Sequence, residues 1–443
     1  MKNGNLETAF SIDVSSIKFG PGITKEVGFE MRRLNATRVM VVTDTKMKNS
    51  EAVSITLNSL KQEGIDATLF DGVHVEPTDM SFQEAISFAT DGKFDGYIGV
   101  GGGSSIDTAK AANLYATYPA EFLTYVNAPI GHGVPVPGPI KPLLAIPTTS
   151  GTGSETTGTA IFDFLEMKAK TGIAHRYLRP AIGLIDPMHT LTLPGMVVAS
   201  SGLDVLSHGL ESYTALPYNQ RTAPESPLTR PSYQGSNPIS DIWAIKAIEM
   251  VSQNIVRAVH DPEDIEARSE MMLAATYAGV GFGNAGCHLP HGMSYAVSGM
   301  VRNFSPTGYP QEDPIIPHGM SVILNAPAVF RFTAPTNPER HRNAAAIMGI
   351  KSTVADNEYA GYLLGKAITN IVRKINIPNG LGAIGYQLDD IEALVKATLP
   401  QKRLLDLCPR PITHKELRQL FLESMTLWSV SYTHLTLPTS DLV

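Results

Sequence analysis

FDGYIGVGGGSSIDTAKAA, at residues 94–112, combines a strand, a turn and a helix in one short stretch. Residues 94–100 have the pattern of a buried strand, three glycines and two serines follow, and a helical pattern begins at Ile106. Glycines let backbone N–H groups approach an anion, and a helix N-terminus favours negative charge. This order predicts a phosphate-binding turn. The spacing is neither G-x-G-x-x-G nor a Walker loop, so the turn alone would also fit a plain tight connection.

A second polar loop, PTTSGTGSETT at residues 147–157, follows a strand candidate at 143–146. Its hydroxyls and glycines can donate hydrogen bonds to phosphates or ribose. The same composition is also typical of a flexible polar turn. The two loops together favour the phosphate-binding interpretation.

Strand and helix patterns alternate up to about residue 187, which predicts a parallel sheet. The strand candidates are 39–42, 67–70, 97–100, 143–146 and 182–185. From residue 193 onward the pattern is helical, with Pro-rich loops at 216–236 and 309–317. The predicted fold class is α/β, with a Rossmann-like parallel-sheet domain at 1–187 and an all-helical domain at 188–430. Residues 431–443 break the helical pattern, and we interpret them as a non-native tail.

Composition argues against several classes of function. The chain has 443 residues, 43% hydrophobic and 17% charged, which suits two folded domains. A net charge of −7 without a basic cluster argues against nucleic-acid or anionic-membrane partners, and no apolar run reaches the roughly 18 residues of a membrane span. Two cysteines, Cys287 and Cys408, favour a reducing compartment. Residues 1–8 lack leader features, so we expect a cytoplasmic protein, or a mitochondrial-matrix protein if a transit peptide has been removed.

Four potential metal ligands lie in the helical half. Asp204 and His208 are four residues apart and would share one face of a helix. His291 and His318 each precede Gly-Met in a segment with a buried helical pattern. One carboxylate with three imidazoles suits ferrous iron or zinc and leaves a position for water or a substrate oxygen. An isolated Asp-x-x-x-His pair is more often a helix acid and a core histidine.

The glycine-rich turn, the polar loop after residue 146, the Asp204/His208 pair and the His291 and His318 segments follow one another along the chain. Together they resemble the iron-containing (group III) alcohol dehydrogenases over about residues 8–425. Segments 233–241, 281–286 and 288–295 are similar to the hydroxyacid-oxoacid transhydrogenase branch of that family. The resemblance implies a dehydroquinate synthase-like two-domain fold, a divalent metal (iron first, zinc as the alternative) and NAD. We also expect a homo-oligomer.

The family implies a role for individual residues. The implied metal ligands are Asp204, His208, His291 and His318. The implied cofactor contacts lie on the two polar loops and at the end of an early strand: Gly102, Gly103, Ser104, Ser105, Asp107, Thr148, Thr149, Thr152 and Asp44. Because a carboxylate after that strand would bind the adenosine ribose and repel a 2′-phosphate, NAD is favoured over NADP.

The branch implies hydride transfer from 4-hydroxybutyrate to 2-oxoglutarate through bound NAD. Such substrates carry carboxylates, which pair with Arg or Lys. The candidate substrate contacts are Lys170, Arg221, Arg230, Arg302 and Tyr295. Tyr295 stands where common members have a second histidine. Residues 299–313 form an insertion that is a candidate for substrate specificity.

Two other functions stay open. An ordinary NAD-dependent alcohol dehydrogenase, which releases NADH at each turnover, would carry the same metal and cofactor motifs. A non-redox lyase or synthase that uses NAD internally is the more distant alternative. Its relatives typically offer Glu and two His, whereas this chain offers Asp and three His.

Overall fold

The computed structural model describes residues 5–167, 169–309, 311, 314–350 and 357–429, so the predicted tail lies outside the described residues. The strands are β1 (Ser16–Phe19), β2 (Arg38–Asp44), β3 (Asp66–Val73), β4 (Gly96–Gly101), β5 (Leu143–Pro147), β6 (Thr159–Phe164), β7 (Ala169–Ala174) and β8 (Ile182–Ile185). Six of them form one parallel sheet in the order β1-β8-β5-β4-β2-β3. β4 and β5 lie inside the sheet and are buried along their whole length, which explains their continuous apolar sequence. The predicted parallel sheet is confirmed.

All five predicted strands are present, and the structure adds three others. β1 is a four-residue edge strand that pairs with β8. β6 and β7 form a separate antiparallel hairpin, in which Phe162 lies opposite Thr171. These three segments mix polar and apolar residues without a clean period, so their pattern did not separate them from loops.

The described chain is helical from α5 onward. The helices are α1 (Val27–Arg33), α2 (Glu51–Gln62), α3 (Asp79–Gly92), α4 (Gly103–Thr117), α5 (Gly195–Thr214), α6 (Pro238–His260), α7 (Ile265–Ala285), α8 (Leu289–Gly299), α9 (His318–Ile323), α10 (Ala326–Thr333), α11 (Pro338–Ile347), α12 (Ala360–Lys374), α13 (Ile391–Thr398), α14 (Lys402–Leu405) and α15 (His414–Ser424). The second half of the predicted fold class is therefore confirmed, and we propose residue 187, between β8 and α5, as the domain boundary. Among the described helices, none is both long and apolar enough to cross a membrane.

The two halves meet where the carboxyl end of β5 faces α7. Gly153, in the loop after β5, has a φ of +59°, and a Cβ added there would lie 2.7 Å from the Gly279 Cα of α7. A side chain at this position would be strained and would also collide with backbone. In the same loop, a Cβ on Gly151 would lie 2.9 Å from Ser201 Cβ of α5, so the loop also lies against the helix that carries Asp204 and His208.

Candidate metal centre and cofactor cleft

The four predicted metal-binding side chains meet around one carboxylate oxygen. Asp204 Oδ1 lies 3.5 Å from His208 Nε2, 3.4 Å from His291 Nε2 and 3.8 Å from His318 Nε2. Ligand atoms bound tetrahedrally at about 2.1 Å from one ion are about 3.4 Å apart. The observed spacing therefore suits a single metal ion.

Local packing brings these ligands together. Asp204 and His208 share a face of α5, as their spacing predicts. His318 is the first residue of α9, and the glycine after it allows this helix to touch α5. A Cβ on Gly319 would lie only 1.9 Å from the backbone oxygen of Ser200. The Gly after His318 thus has a structural reason that the sequence alone did not reveal.

The chemistry of the donor set also fits a cation. Asp204 Oδ1 and His291 Nε2 are buried and have no hydrogen-bond partner. Burial opposes ionisation of Asp204, but the neighbouring His208 and His318 imidazoles outweigh it and hold the pKa of this carboxyl below its usual range. Burial lowers the pKa of His208 to about 3, so its imidazole is neutral at pH 7. An ionised carboxylate and a neutral imidazole are the forms that bind metals.

Glu211 belongs to this centre, although sequence reasoning missed it. It lies on α5, three residues after His208, and its side chain is fully buried. Its Oε1 is 2.6 Å from His291 Nδ1, and its Oε2 accepts hydrogen bonds from the backbone N–H groups of His288 and His291 at 2.8 and 3.4 Å. Because Glu211 accepts the Nδ1 proton, Nε2 is the ring nitrogen that faces Asp204 and would bind a metal ion.

Cys287 and Phe282 lie beside the candidate metal ligands. The Cys287 sulfur and one ring nitrogen each of His208 and His291 lie within 4.8 Å of one another. Burial raises the pKa of Cys287 to about 11, so it is a neutral thiol at pH 7. The Phe282 ring stacks on His208 with 3.8 Å between centroids.

The glycine-rich turn lies at the N-terminus of α4, as predicted. Gly101 has a φ of +149°, and a Cβ there would lie 2.4 Å from Ser105 Oγ. Gly102 is the N-cap, and the Cβ positions of Gly102 and Gly103 face the second loop: the nearest atoms are Thr149 Oγ1 at 3.5 Å and Thr152 Cγ2 at 2.7 Å. The two polar loops are therefore neighbours.

Three other predicted cofactor residues of this region are held by protein contacts. The Thr148 N–H donates to the Gly101 carbonyl at 3.0 Å, and Thr148 is buried. Ser104 Oγ accepts from the Glu76 N–H at 3.3 Å, so it is positioned beside the turn. Ser105 is only 1% exposed and packs beneath Gly101.

Asp107 has protein partners on both carboxylate oxygens. Its Oδ2 accepts from the Ile161 N–H at 2.9 Å, and its Oδ1 contacts Ser154 Oγ and, at 3.3 Å, Lys110 Nζ. Lys110 is fully buried and also donates to the Thr159 carbonyl at 2.8 Å. These bonds fasten α4 to β6, and Asp107 also lines the cavity that contains Asp204 and His291, so its cofactor contact stays a prediction.

Asp44 lies at the end of β2 on a wide cleft of about 700 Å³. Opposite it, residues of α8 and of the segment before α9 form the other wall, among them Ser298 and Ile316. Asp44 Oδ1 accepts hydrogen bonds from the N–H groups of Lys46 and Met47 at 2.9 and 3.0 Å. One carboxylate oxygen therefore shapes the turn, and the Asp44 side chain also lines the cleft.

Comparison with known proteins identifies the family. Residues 15–187 match the family model described as iron-containing alcohol dehydrogenase, and residues 232–425 match the C-terminal model of the Fe-containing alcohol dehydrogenase family. The chain is 53% identical over 422 residues to the mitochondrial hydroxyacid-oxoacid transhydrogenase of Mus musculus, which covers 95% of this chain and 91% of that protein. This chain belongs to the iron-containing alcohol dehydrogenase family.

Two further similarities refine the position within the iron-containing alcohol dehydrogenases. A probable mitochondrial hydroxyacid-oxoacid transhydrogenase of Dictyostelium discoideum is 51% identical over 440 residues, covering 96% of this chain and 80% of that one. A crystal structure of 1,3-propanediol oxidoreductase has a TM-score of 0.82 at 26% identity, over 94% of this chain and 100% of that chain. These findings support the predicted branch and the predicted two-part fold.

The predicted substrate contacts of this family member divide into two groups. The four side chains Asp204, His208, His291 and His318, here called the metal-type cluster, line a cavity of about 120 Å³. Lys170 and Tyr295 line the same cavity. Lys170 Nζ is paired with Glu76 and, at 3.3 Å, with Asp163, so its charge is already matched.

The other three predicted substrate contacts, Arg221, Arg230 and Arg302, do not line that cavity. Arg221 donates to the Tyr233 carbonyl at 2.5 Å, Arg230 pairs with Glu7 at 3.1 Å, and Arg302 of the predicted insertion pairs with Asp390. Each guanidinium has a partner of its own that fastens one segment to another. Residues 310, 312 and 313 of the insertion lie outside the described residues.

Proposed function

We propose that this enzyme is a hydroxyacid-oxoacid transhydrogenase that moves a hydride from 4-hydroxybutyrate to 2-oxoglutarate through retained NAD. The observation that carries the proposal is a single cavity. It is lined by Asp204 and His291 of the metal-type cluster and by Gly103 and Ser104 of the glycine-rich turn. Relatives that are 51 to 53% identical to this chain bear the name of that activity. The enzyme is an oxidoreductase acting on CH–OH groups.

We assign Asp204, His208, His291 and His318 as ligands of one divalent metal, with iron preferred to zinc. The assignment is supported by the buried oxygen and nitrogen atoms that have no hydrogen-bond partner, since such atoms are costly unless a ligand satisfies them. We place the NAD pyrophosphate at residues 102–105, its nicotinamide near Thr149 and Thr152, and its ribose at Asp44. When bound, the metal supplies Lewis acidity toward a substrate oxygen, and NAD accepts and returns the hydride.

The residues of the chain orient these groups and exclude water. Glu211 holds the ring of His291 in one tautomer, so that Nε2 faces the other donors. Phe282 and Tyr295, which are buried, wall the cavity with apolar surface. Such walls would limit the entry of water between the two half-reactions, which reduces side reactions with solvent.

One experiment separates this function from the ordinary dehydrogenase. Purified protein without added NAD is mixed with 4-hydroxybutyrate deuterated at C4 and with 2-oxoglutarate. We expect 2-hydroxyglutarate carrying deuterium at C2, and parallel lines in double-reciprocal plots, because both half-reactions use the same bound nicotinamide. Strict dependence on added NAD, with stoichiometric NADH release and no acceleration by a 2-oxoacid, would instead assign the alcohol dehydrogenase activity.

Compartment and assembly are also proposals. The vertebrate and Dictyostelium relatives are named mitochondrial, and for this chain we keep both the cytoplasm and the mitochondrial matrix as alternatives. Imaging of the tagged full-length protein distinguishes them. We propose a homo-oligomer, which light scattering coupled to size-exclusion chromatography tests directly.

A further inference from the structure

Arg403 brings an unused hydrogen-bonding group to the cavity that contains the metal-type cluster. Its Nη1 is fully buried and has no hydrogen-bond partner. The guanidinium carbon lies 4.9 Å from the centre of the Tyr233 ring, which holds the charged group by a cation–π contact. Among the described residues it forms no ion pair with an aspartate or glutamate, and Tyr233, Tyr295 and Cys287, two phenols and a thiol, line the cavity with it. A buried guanidinium without an acid is unfavourable unless a ligand supplies the negative charge.

Lys170 is the other Lys or Arg side chain among the described residues that line this cavity. It already forms ion pairs with Glu76 and Asp163. A substrate carboxylate would therefore compete with two protein carboxylates for Lys170. At Arg403 it would compete with no ion-paired carboxylate of the described residues. Of the two cations, Arg403 is therefore the better partner for an anionic group of the substrate.

The segment that carries Arg403 is fixed on both sides. Gln401 Nε2 donates to the Lys170 carbonyl of β7 at 3.2 Å, and the Leu407 carbonyl accepts from the Leu216 N–H at 2.9 Å. Leu404, the next residue, is 2% exposed and packs into the protein. Arg403 is thus presented from a rigid support, as a binding group must be if it is to set the position of a substrate.

We propose that Arg403 binds the carboxylate remote from the reacting carbon in both the hydroxyacid and the oxoacid. The proposal rests on the function proposed above and names its substrate class. In 4-hydroxybutyrate two methylenes separate the carbinol carbon from the carboxylate, and in 2-oxoglutarate two methylenes separate the keto carbon from the distal carboxylate. One guanidinium at a fixed distance from the reacting carbon therefore recognises the donor and the acceptor alike, through a bidentate charge-assisted contact.

The test uses the Arg403→Met variant and compares each acid with an analogue of similar length that lacks the remote carboxylate. Each half-reaction is followed separately with added NAD or NADH: 4-hydroxybutyrate against 1,4-butanediol, and 2-oxoglutarate against 2-oxopentanoate. We expect kcat/KM for the two acids to fall on the order of 100-fold, mainly through KM, because one partner of a desolvated charge pair is removed. The rates with 1,4-butanediol and 2-oxopentanoate should change little. Arg403→Lys should recover part of the preference for acids.

Lys402→Met is the matched control, because it removes a positive charge from the neighbouring exposed position on the same helix. An equal loss with the two substrates and with the analogues that lack the remote carboxylate in Arg403→Met would show a structural role and overturn the proposal. Undiminished use of both acids would also overturn it. If the unmodified enzyme turned over neither acid, both the proposed function and this inference would be overturned. An equal loss of kcat/KM with all substrates in the variant would overturn only this inference.

A second measurement needs no variant. A fixed cation should give the unmodified enzyme an optimum of kcat/KM at 4-hydroxybutyrate, with lower values for 3-hydroxypropionate and 5-hydroxypentanoate. The corresponding neutral diols should show no such optimum. The same profile for acids and diols would contradict the assignment, even if Arg403→Met failed to fold.

Discussion

Glu211 Oε1 lies 2.6 Å from His291 Nδ1, and both side chains are buried. The same carboxylate also accepts from the backbone N–H of His288 at 2.8 Å, so α5 and the start of α8 are joined at this point. The bond orients the imidazole whose other nitrogen faces Asp204. The geometry of the proposed metal site therefore depends on a residue outside its ligand set.

The first prediction concerns that support. Glu211→Gln should lower metal affinity about 10- to 100-fold, since loss of a carboxylate behind a ligating histidine typically has that effect. Competition with a chelator, read by metal analysis, measures it. Glu249→Gln is the control, because Glu249 lies partly exposed on α6 and pairs with Lys246 at 2.9 Å. Equal metal affinity in the two variants would contradict the role given to Glu211.

The second prediction tests the ligand set itself. His291→Ala or Asp204→Ala should release the metal and abolish turnover, because each residue supplies a lone pair to one ion. NAD binding, followed by fluorescence titration, should persist because the glycine-rich turn is untouched. His132→Ala, at an exposed position, should change neither property. Full metal occupancy in His291→Ala would reject the assignment.

The third prediction concerns the choice of cofactor. If Asp44 faces the ribose, NAD should bind on the order of 100-fold more tightly than NADP, because a carboxylate opposes a phosphate in a partly dry cleft. Asp44→Asn should reduce that preference and still offer an oxygen to the N–H groups of Lys46 and Met47. Asp71→Asn, on β3 and paired with Lys48, is the control. Similar affinities for NAD and NADP in the unmodified protein would exclude this role.

The parts of the fold and site that could be predicted were those with a local signal. The buried strands have apolar runs, the turn has glycines before a helix, and Asp204 and His208 have the spacing of one helical face. Gly101 has the turn signal as well, because its φ of +149° and its contact with Ser105 leave no room for a side chain.

Long-range pairing limited the rest of the prediction. Glu211 looks like any helix acid until α8 is placed beside it, and Lys170 looks free until Glu76, 94 residues away, is seen to pair with it. Arg403 lies on a four-residue helix with no motif around it. Arg221, Arg230 and Arg302 are candidates from their position in unusual loops, but each is paired with another protein group, which the sequence pattern does not show.

The last prediction concerns pH and stability. His341 is fully buried, with Nδ1 2.9 Å from the Asn337 carbonyl oxygen and Nε2 2.9 Å from Thr333 Oγ1. Burial lowers its pKa to about 4, below the ordinary histidine value of about 6.5. Between these two values the unfolded chain binds a proton that the folded chain does not, so stability rises with pH. The contribution is complete above pH 6.5 and is lost as pH falls toward 4.

Its size is on the order of 3 kcal/mol. Urea unfolding from pH 4.5 to 7.5 should therefore show a shallower pH dependence of the free energy of unfolding in His341→Gln than in the unmodified protein, because glutamine does not titrate. Other buried histidines contribute to both proteins and cancel in the difference. His132→Gln, at an exposed position, should keep the original slope. The contrary outcome is that the free energy of unfolding depends on pH in the same way in His341→Gln and in the unmodified protein. His341 would then bind its proton as readily in the folded state as in the unfolded chain, and burial would not control its titration.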